Sequence, residues 1–212
     1  MARTAIKWVY TFNELDESAK EKARDWYRSG CDVFDHDCAT DWLGEVCDAL
    51  SIEIDCKKVY WSGFAHQGSG SSYSGDVSAA MLLAAFESSA LESVAHIDLP
   101  APPKLHRLVR KLLNDGDAIV RATCGESRGY GGEFHLHTDH DIDCYGLDET
   151  RHARIYAQLT ALGEWAESVL DAINDWFYRA LETEYDYQNS DAAIDETIEC
   201  NEYEFDIDGN RV

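Results

Sequence analysis

The chain has 212 residues, of which 41 are acidic and 18 are basic, and its net charge is −23. Phosphate groups would be repelled by this charge, which disfavours direct binding to nucleic acid or to an anionic membrane and favours a basic partner. No apolar run reaches the roughly 18 residues of a membrane span, and the N-terminus lacks the apolar region of a secretion signal. Seven scattered cysteines without a CxxC pair fit reduced thiols, so we expect a cytoplasmic protein.

The first part of the chain predicts two helices between two strands. β-Branched and aromatic residues are frequent in RTAIKWVYTF, which is typical of a strand. Asn13 or Asp16 can cap the helix that follows, because acidic residues crowd its first turn and basic residues its later turns. The predicted elements are a strand over 3–12, a helix from the cap to Gly30, a helix over 38–50 and a strand over 52–61.

The middle of the chain begins with a glycine- and serine-rich stretch at 62–75, which predicts a long turn into a strand near 73–78. Pro102 and Pro103 are placed to begin a helix, because proline is tolerated in a first helical turn. The remaining predicted elements of this part are helices over 79–93 and 103–114 and strands over 117–124 and 133–143.

The C-terminal part predicts a long helix from about 149 to 186, since apolar residues recur there at three- and four-residue steps. Ser190 or Asp191 can cap a further helix over 190–203, and Asp208-Gly209 predicts a turn in a closing edge strand. We therefore expect one α+β domain over 1–212. It would have a mostly antiparallel sheet, helices packed on one face that include the long C-terminal helix, and an acidic segment at 182–208.

The stretch GEFHLHTDHDIDC at 132–144 has two interpretations. In an extended strand, alternate side chains share a face, so His135, His137 and Asp139 would lie together and could hold a metal ion for hydrolytic chemistry. The other interpretation needs no metal, because one face of a sheet can be wetted while the more apolar face packs. We favour the second interpretation and expect neither a cofactor nor catalysis.

The glycine-rich stretch at 62–75 also has two interpretations. Phe64, Gln67 and Tyr73 could contact a partner or a small ligand from an exposed loop. The stretch could instead be a long hairpin connection that tucks its aromatic rings onto the core. The glycines do not form a phosphate-binding P-loop, because the GK[ST] sequence is missing.

Several segments together resemble a family of phage and prophage proteins that is often labelled "antitoxin of toxin–antitoxin stability system". The segments are YTFNELDESAKEKARDWYR at 10–28, VYWSGFAHQGSGSSYSGDV at 59–77, LETEYDYQNSDAAIDETIECNEYEF at 181–205 and the terminal DGNRV. The glycine-rich loop of that family has the form GFxxQGxGxxFxG, and Tyr73 stands here in its aromatic place. The resemblance implies a phage-encoded protein and supplies no catalytic or ligand-binding residues.

The acidic segment near the C-terminus is the main candidate for a partner-binding surface. Residues 180–210 include eleven acidic side chains and no lysine, arginine or histidine. Closely spaced carboxylates on a rigid element can imitate a phosphate backbone and compete for a basic groove. The candidate partner-binding residues are Glu182, Glu184, Asp186, Asp191, Asp195, Glu196, Glu199, Glu202 and Glu204.

The charge and the resemblance together predict a phage-encoded binding protein of the host cytoplasm. It would inhibit a nucleic-acid-binding host or defence protein, such as a CRISPR complex or a restriction enzyme, by covering a basic surface. Two alternatives stay open: an antitoxin that neutralises a basic toxin, and a metal-dependent enzyme that uses the histidine strand. The long helix also offers a surface on which a second copy could pair.

Overall fold

The computed structural model describes residues 7–30, 34–64, 69–129, 133–147 and 152–212. The chain forms two compact units: unit 1 comprises Met1–His36 and Glu182–Val212, and unit 2 comprises Asp37–Leu181. The elements in chain order are β1 (Tyr10–Thr11), α1 (Glu17–Gly30), α2 (Asp37–Ala49), β2 (Glu53–Ser62), β3 (Gly70–Ser78), α3 (Ala79–Phe86), α4 (Ala90–Ser93), α5 (Arg107–Asp115), β4 (Ala118–Arg128), β5 (Phe134–Cys144), α6 (Ala153–Gln188), α7 (Asp191–Cys200) and β6 (Glu204–Phe205).

Unit 2 is built on a four-stranded antiparallel sheet with the strand order β2-β3-β4-β5. Along β4, Ala118, Val120 and Ala122 are buried, whereas the residues between them are exposed. This alternation leaves one face of the sheet for packing against helices, as expected for a half-buried antiparallel sheet. The predicted α+β fold with a long C-terminal helix is therefore confirmed.

Tyr73 joins the sheet to the long helix in the interior of unit 2. Its side chain is fully buried, and its hydroxyl donates a hydrogen bond to the backbone carbonyl of Leu170 at 3.0 Å. Leu162, Ala166 and Ile173 on the same side of α6 are also fully buried. The apolar steps that predict this helix therefore mark the side that packs.

The edge strand β5 approaches α6 closely through His140. The His140 Nδ1 atom is hydrogen-bonded to the Glu167 carboxylate at 2.8 Å. A Cβ atom on Gly163 would lie only 2.3 Å from the His140 ring. Glycine at 163 is therefore required for the ring to reach the helix, and α6 continues through this position without interruption.

Three predicted elements have different bounds from those that the sequence indicates. The predicted helix over 79–93 is interrupted because the Ser88 hydroxyl donates to the Ala85 carbonyl and accepts from the Ala90 amide. The predicted helix at 103–114 begins later, at Arg107, because the His106 ring caps it. The predicted strand over 3–12 contains a β-strand only at Tyr10–Thr11 among the residues that the structure describes.

Unit 1 packs α1, α7 and the β1–β6 ribbon around a small core of its own. This core includes Phe12, Ala23, Ile194, Ile198 and Phe205. The predicted Ser190 cap is confirmed, since its hydroxyl accepts a hydrogen bond from the Ala193 amide. The helix therefore begins where the sequence indicates and presents its two isoleucines to the core.

The predicted C-terminal turn is present and lies against α1. The Gly209 amide donates to the Asp206 carbonyl at 3.0 Å, and Gly209 adopts the left-handed conformation with φ of 80°. A Cβ atom at Gly209 would lie 2.1 Å from the Ala19 carbonyl oxygen. Both the conformation and the close approach favour glycine at this position.

A buried ion pair joins the two helices of unit 1. The Arg24 guanidinium donates to both carboxylate oxygens of Asp195, at 2.7 and 2.8 Å, and its side chain is 9% exposed. Glu17 and Glu21 each accept a further bond at 3.1 Å. Asp195 is the main cause that raises the pKa of Arg24. This bidentate geometry is the strong form of an arginine–carboxylate pair.

The first prediction concerns the contact between Gly163 and His140. The Gly163→Ala variant should lose about 1–2 kcal/mol, because the added methyl group displaces the His140 ring and overrides the gain in helix propensity. The Gly44→Ala variant is the matched control, since a Cβ atom at this position in α2 meets no atom within 4 Å. It should gain up to about 1 kcal/mol. Chemical denaturation measures the free energy of unfolding of both variants. Equal gains in the two variants would contradict the predicted clash between a methyl group at position 163 and the His140 ring.

The second prediction concerns the ion pair of unit 1. The Asp195→Asn variant should lose about 1–3 kcal/mol, because a buried guanidinium loses its bidentate partner while Glu17 and Glu21 remain. The control is Glu196→Gln, which neutralises the next residue. Glu196 is exposed and has no ion pair with any described residue, so its change should stay within about 0.5 kcal/mol. Thermal unfolding of the two variants should separate them clearly; similar melting temperatures would contradict the assigned role of Asp195.

Candidate binding surfaces

The histidine strand alternates as its sequence predicts. In β5, His135, His137 and Asp139 are exposed, whereas the residues between them are partly buried. The residues paired with these three across β4 are Ser127, Gly125 and Thr123, none of which is a strong metal ligand. His135 is hydrogen-bonded to Glu133 at 3.1 Å. Within the described ranges, no group of three acidic, histidine or cysteine side chains is arranged to hold a metal ion.

The structure separates the three candidate residues of the glycine-rich stretch. Tyr73 is fully buried in β3, as the second interpretation expects and not the first; the strand begins at Gly70 and turns this ring into the core. Phe64 is partly buried, and its ring stacks on Trp61 with a centroid distance of 5.5 Å. Gln67 lies outside the described residues.

Two of the nine candidate acids in the C-terminal segment form ion pairs with arginines of α1. Asp195 binds Arg24, and Asp191 forms an ion pair with Arg28. These two carboxylates therefore join the helices of unit 1 and do not belong to a partner-facing array. The Glu184 carboxylate accepts a hydrogen bond from Gln188 at 2.9 Å and is partly buried.

The other six candidate acids are exposed and form no ion pair with any residue that the structure describes. We refer to them as the unit 1 carboxylates. Unit 1 has 18 acidic and seven basic residues, a net charge of −11, although it contains only 67 of the 212 residues. The unit 1 carboxylates are Glu182, Asp186, Glu196, Glu199, Glu202 and Glu204.

A polar groove in unit 2 was not predicted from the sequence. It lies between α6 and the first residues of β3 and β5, and its volume is about 540 Å³. Its lining includes Ser71, Leu136, Asp171, Asn174 and Asp175. We refer to it as the α6 groove. The four-residue step between Asp171 and Asp175 is visible in the sequence, but only the fold shows that the step faces a cavity.

The two carboxylates of the α6 groove are close enough to repel each other. Residues four apart on a helix are neighbours, and Asp171 stands between Glu167 and Asp175 in such a series. Partial burial is the largest cause that raises the pKa of Asp171, and the charges of Asp175 and Glu167 raise it further. Neither Asp171 nor Asp175 has a hydrogen bond or ion pair with a described residue.

The buried cysteines of unit 2 are poor nucleophiles. Burial raises the pKa of Cys124 to about 12, and it also raises the pKa of Cys47. A thiol needs its thiolate form to react, so both side chains stay protonated at neutral pH. They act as small apolar groups in the interior.

No helix in the described part of the chain is both long and apolar enough to cross a membrane. The model of a domain of unknown function, DUF8835, matches residues 36–191. The match spans 156 of the 212 residues and contains the whole of unit 2. No curated protein and no solved structure matches the chain.

The third prediction concerns Asp171. Because its pKa is raised in the folded protein, the protonated form is favoured there, and stability falls as the pH rises through that pKa. The Asp171→Asn variant should therefore gain roughly 0.5–1 kcal/mol at pH 7, because it removes the repulsion between this carboxylate and its two like-charge neighbours. The gain should vanish below about pH 3.9, where an ordinary aspartate is protonated.

The measurement is the difference in melting temperature between the variant and the parent protein from pH 7 down to about pH 3. A gain of about 1–3 °C at neutral pH corresponds to the expected free energy for a chain of this size. The exposed residue Asp98 provides the control, since Asp98→Asn removes one charge outside the helices. A gain of equal size and equal pH dependence in both variants would contradict the local effect at Asp171.

Proposed function

We propose that this chain, which belongs to the DUF8835 family, is a phage-encoded binding protein of the host cytoplasm. It inhibits a host or defence protein by covering a basic, nucleic-acid-binding surface, and it performs no covalent chemistry. The observation that supports this proposal is the set of unit 1 carboxylates, which stay exposed and unpaired with described residues while their neighbours Asp191 and Asp195 hold the two helices together.

The spacing of these carboxylates suits a basic surface without copying DNA. Glu182 and Asp186 are four residues apart and Glu196 and Glu199 are three apart, which corresponds to about 6 and 4.5 Å along a helix axis. One strand of B-DNA has a phosphate about every 3.4 Å. The carboxylates are therefore sparser than phosphates. They match lysine and arginine side chains through overall charge, and association should be fast at low salt and weak at high salt.

The ion pairs of unit 1 support this role because they fix α7, which displays Glu196 and Glu199. Binding through flexible side chains costs conformational entropy, and a preorganised scaffold lowers that cost. Arg24 and Arg28 neutralise the side of α7 that faces α1. The negative charge that remains on α7 at Glu196 and Glu199 is exposed.

The fourth prediction tests the unit 1 carboxylates by neutralising all six as Gln or Asn. The immobilised parent protein should capture a basic nucleic-acid-binding protein from a susceptible bacterial lysate at low salt and release it at high salt. The six-fold variant should lose at least ten-fold in affinity for the purified partner. Fluorescence anisotropy should show that the parent protein displaces a labelled nucleic acid from that partner and that the variant does not.

The matched control removes six charges from exposed acids of unit 2, so that the net charge of the two variants is equal. Its substitutions are Asp41→Asn, Glu45→Gln, Asp48→Asn, Glu53→Gln, Asp141→Asn and Asp143→Asn. This control should keep most of its affinity. Equal losses of affinity in both variants would show that only the net charge of the protein matters, and this would contradict a specific role for unit 1. A captured toxin whose growth arrest is relieved by the chain would replace the anti-defence role with an antitoxin role.

A further inference from the structure

The α6 groove is large enough for a molecule and not only for an ion. Its volume of about 540 Å³ lies within the range of roughly 300–1,000 Å³ that is usual for small-molecule sites. One water molecule takes about 30 Å³. The groove belongs to unit 2, so it lies inside the residues matched by the family model.

The two acidic side chains of the groove have no partner among the described residues, as is true of the unit 1 carboxylates, whereas several other helical acids are paired. On α6, Glu167 is hydrogen-bonded to His140 at 2.8 Å. On α1, Glu17 and Glu21 bind Arg24. Asp171 and Asp175, one and two turns beyond Glu167, have no such contact with any residue in the described ranges. Two adjacent unpaired carboxylates destabilise a helix and attract a cation.

The other lining groups add polar and apolar contacts around the two carboxylates. The Ser71 hydroxyl donates a hydrogen bond to the Asn174 side-chain oxygen at 3.0 Å, which holds Asn174 in place on the groove wall. Leu136 supplies an apolar surface on β5. Arg179 also lines the groove and has an interaction of its own. The lining thus combines the two carboxylates and the Arg179 guanidinium with polar groups and an aliphatic wall.

We propose that the α6 groove binds an organic cation through Asp171 and Asp175, with an ammonium or guanidinium head on the carboxylates and an aliphatic stem along Leu136. With two carboxylates against one guanidinium, the lining has a net negative charge, which favours a cation. A bare divalent metal fits poorly, because Mg²⁺ and Ca²⁺ take six or more oxygen ligands and no three-residue metal group occurs in the described part of the chain. An ammonium or guanidinium group is satisfied by fewer acceptors.

This cation could come from two sources with the same chemistry. One source is a free polyamine or a related small molecule such as agmatine. The other is an arginine or lysine side chain of a protein segment. The site differs in place and in residues from the unit 1 carboxylates, so its test is independent of the function proposed above.

The experiment titrates the full-length protein at low ionic strength with four probes: agmatine, spermidine, and short blocked peptides that contain a single arginine or a single lysine. Isothermal calorimetry measures affinity, and ¹H–¹⁵N spectra locate binding through the amides of Ser71, Leu136 and Asn174. We expect saturable binding of one molecule per chain. The Asp171→Asn/Asp175→Asn variant should lose at least ten-fold in affinity.

The control is Asp41→Asn/Glu45→Gln, which removes the same charge from exposed positions of α2 and should bind like the parent protein. Thermal melts of both variants establish that they are folded, and the spectral shifts of the parent protein test the site without any substitution. Binding by agmatine or spermidine alone assigns a free cation, and binding by the peptides assigns a protein side chain. Non-saturable binding by all probes, or equal losses in the two variants, would overturn the proposal.

Discussion

The close packing of α6 against the sheet is the constraint on which unit 2 depends. The buried Tyr73 hydroxyl reaches the Leu170 carbonyl, and the absence of a side chain at Gly163 lets His140 reach Glu167. These contacts place one face of the helix against β3 and β5. Ile173 and Phe177 continue the buried side of α6, whereas Asp171 and Asp175 lie on a different side of the helix and border the groove.

Charge has two different structural consequences in the two units. With 41 acids and 18 bases, most carboxylates cannot find a basic partner within the chain. In unit 1, two arginines of α1 pair with Asp191 and Asp195 of α7 and join the two helices. The unit 1 carboxylates stay exposed. Unit 2 places two of its unpaired acids in a concave site, where burial raises the pKa of Asp171. An exposed charge steers a partner, and charges that line a cavity can also select a ligand.

The family match separates these two surfaces. The matched residues contain all of unit 2 and end at Asp191. Of the unit 1 carboxylates, Glu182 and Asp186 lie inside the match, and the other four lie beyond it. The match therefore contains the whole lining of the α6 groove and two of the six unit 1 carboxylates.

Local patterns in the sequence determined the elements that a single period or cap defines. The alternation of β5, the length of α6 and the Ser190 cap are properties of neighbouring residues, and the structure confirms them. The tertiary structure alone decided which charges and rings meet. Arg24 and Asp195 are 171 positions apart, and the burial of Tyr73 depends on a helix almost a hundred residues away. Composition and spacing report which side chains are available, but only the packed chain determines which of them are paired, buried or left facing a cavity.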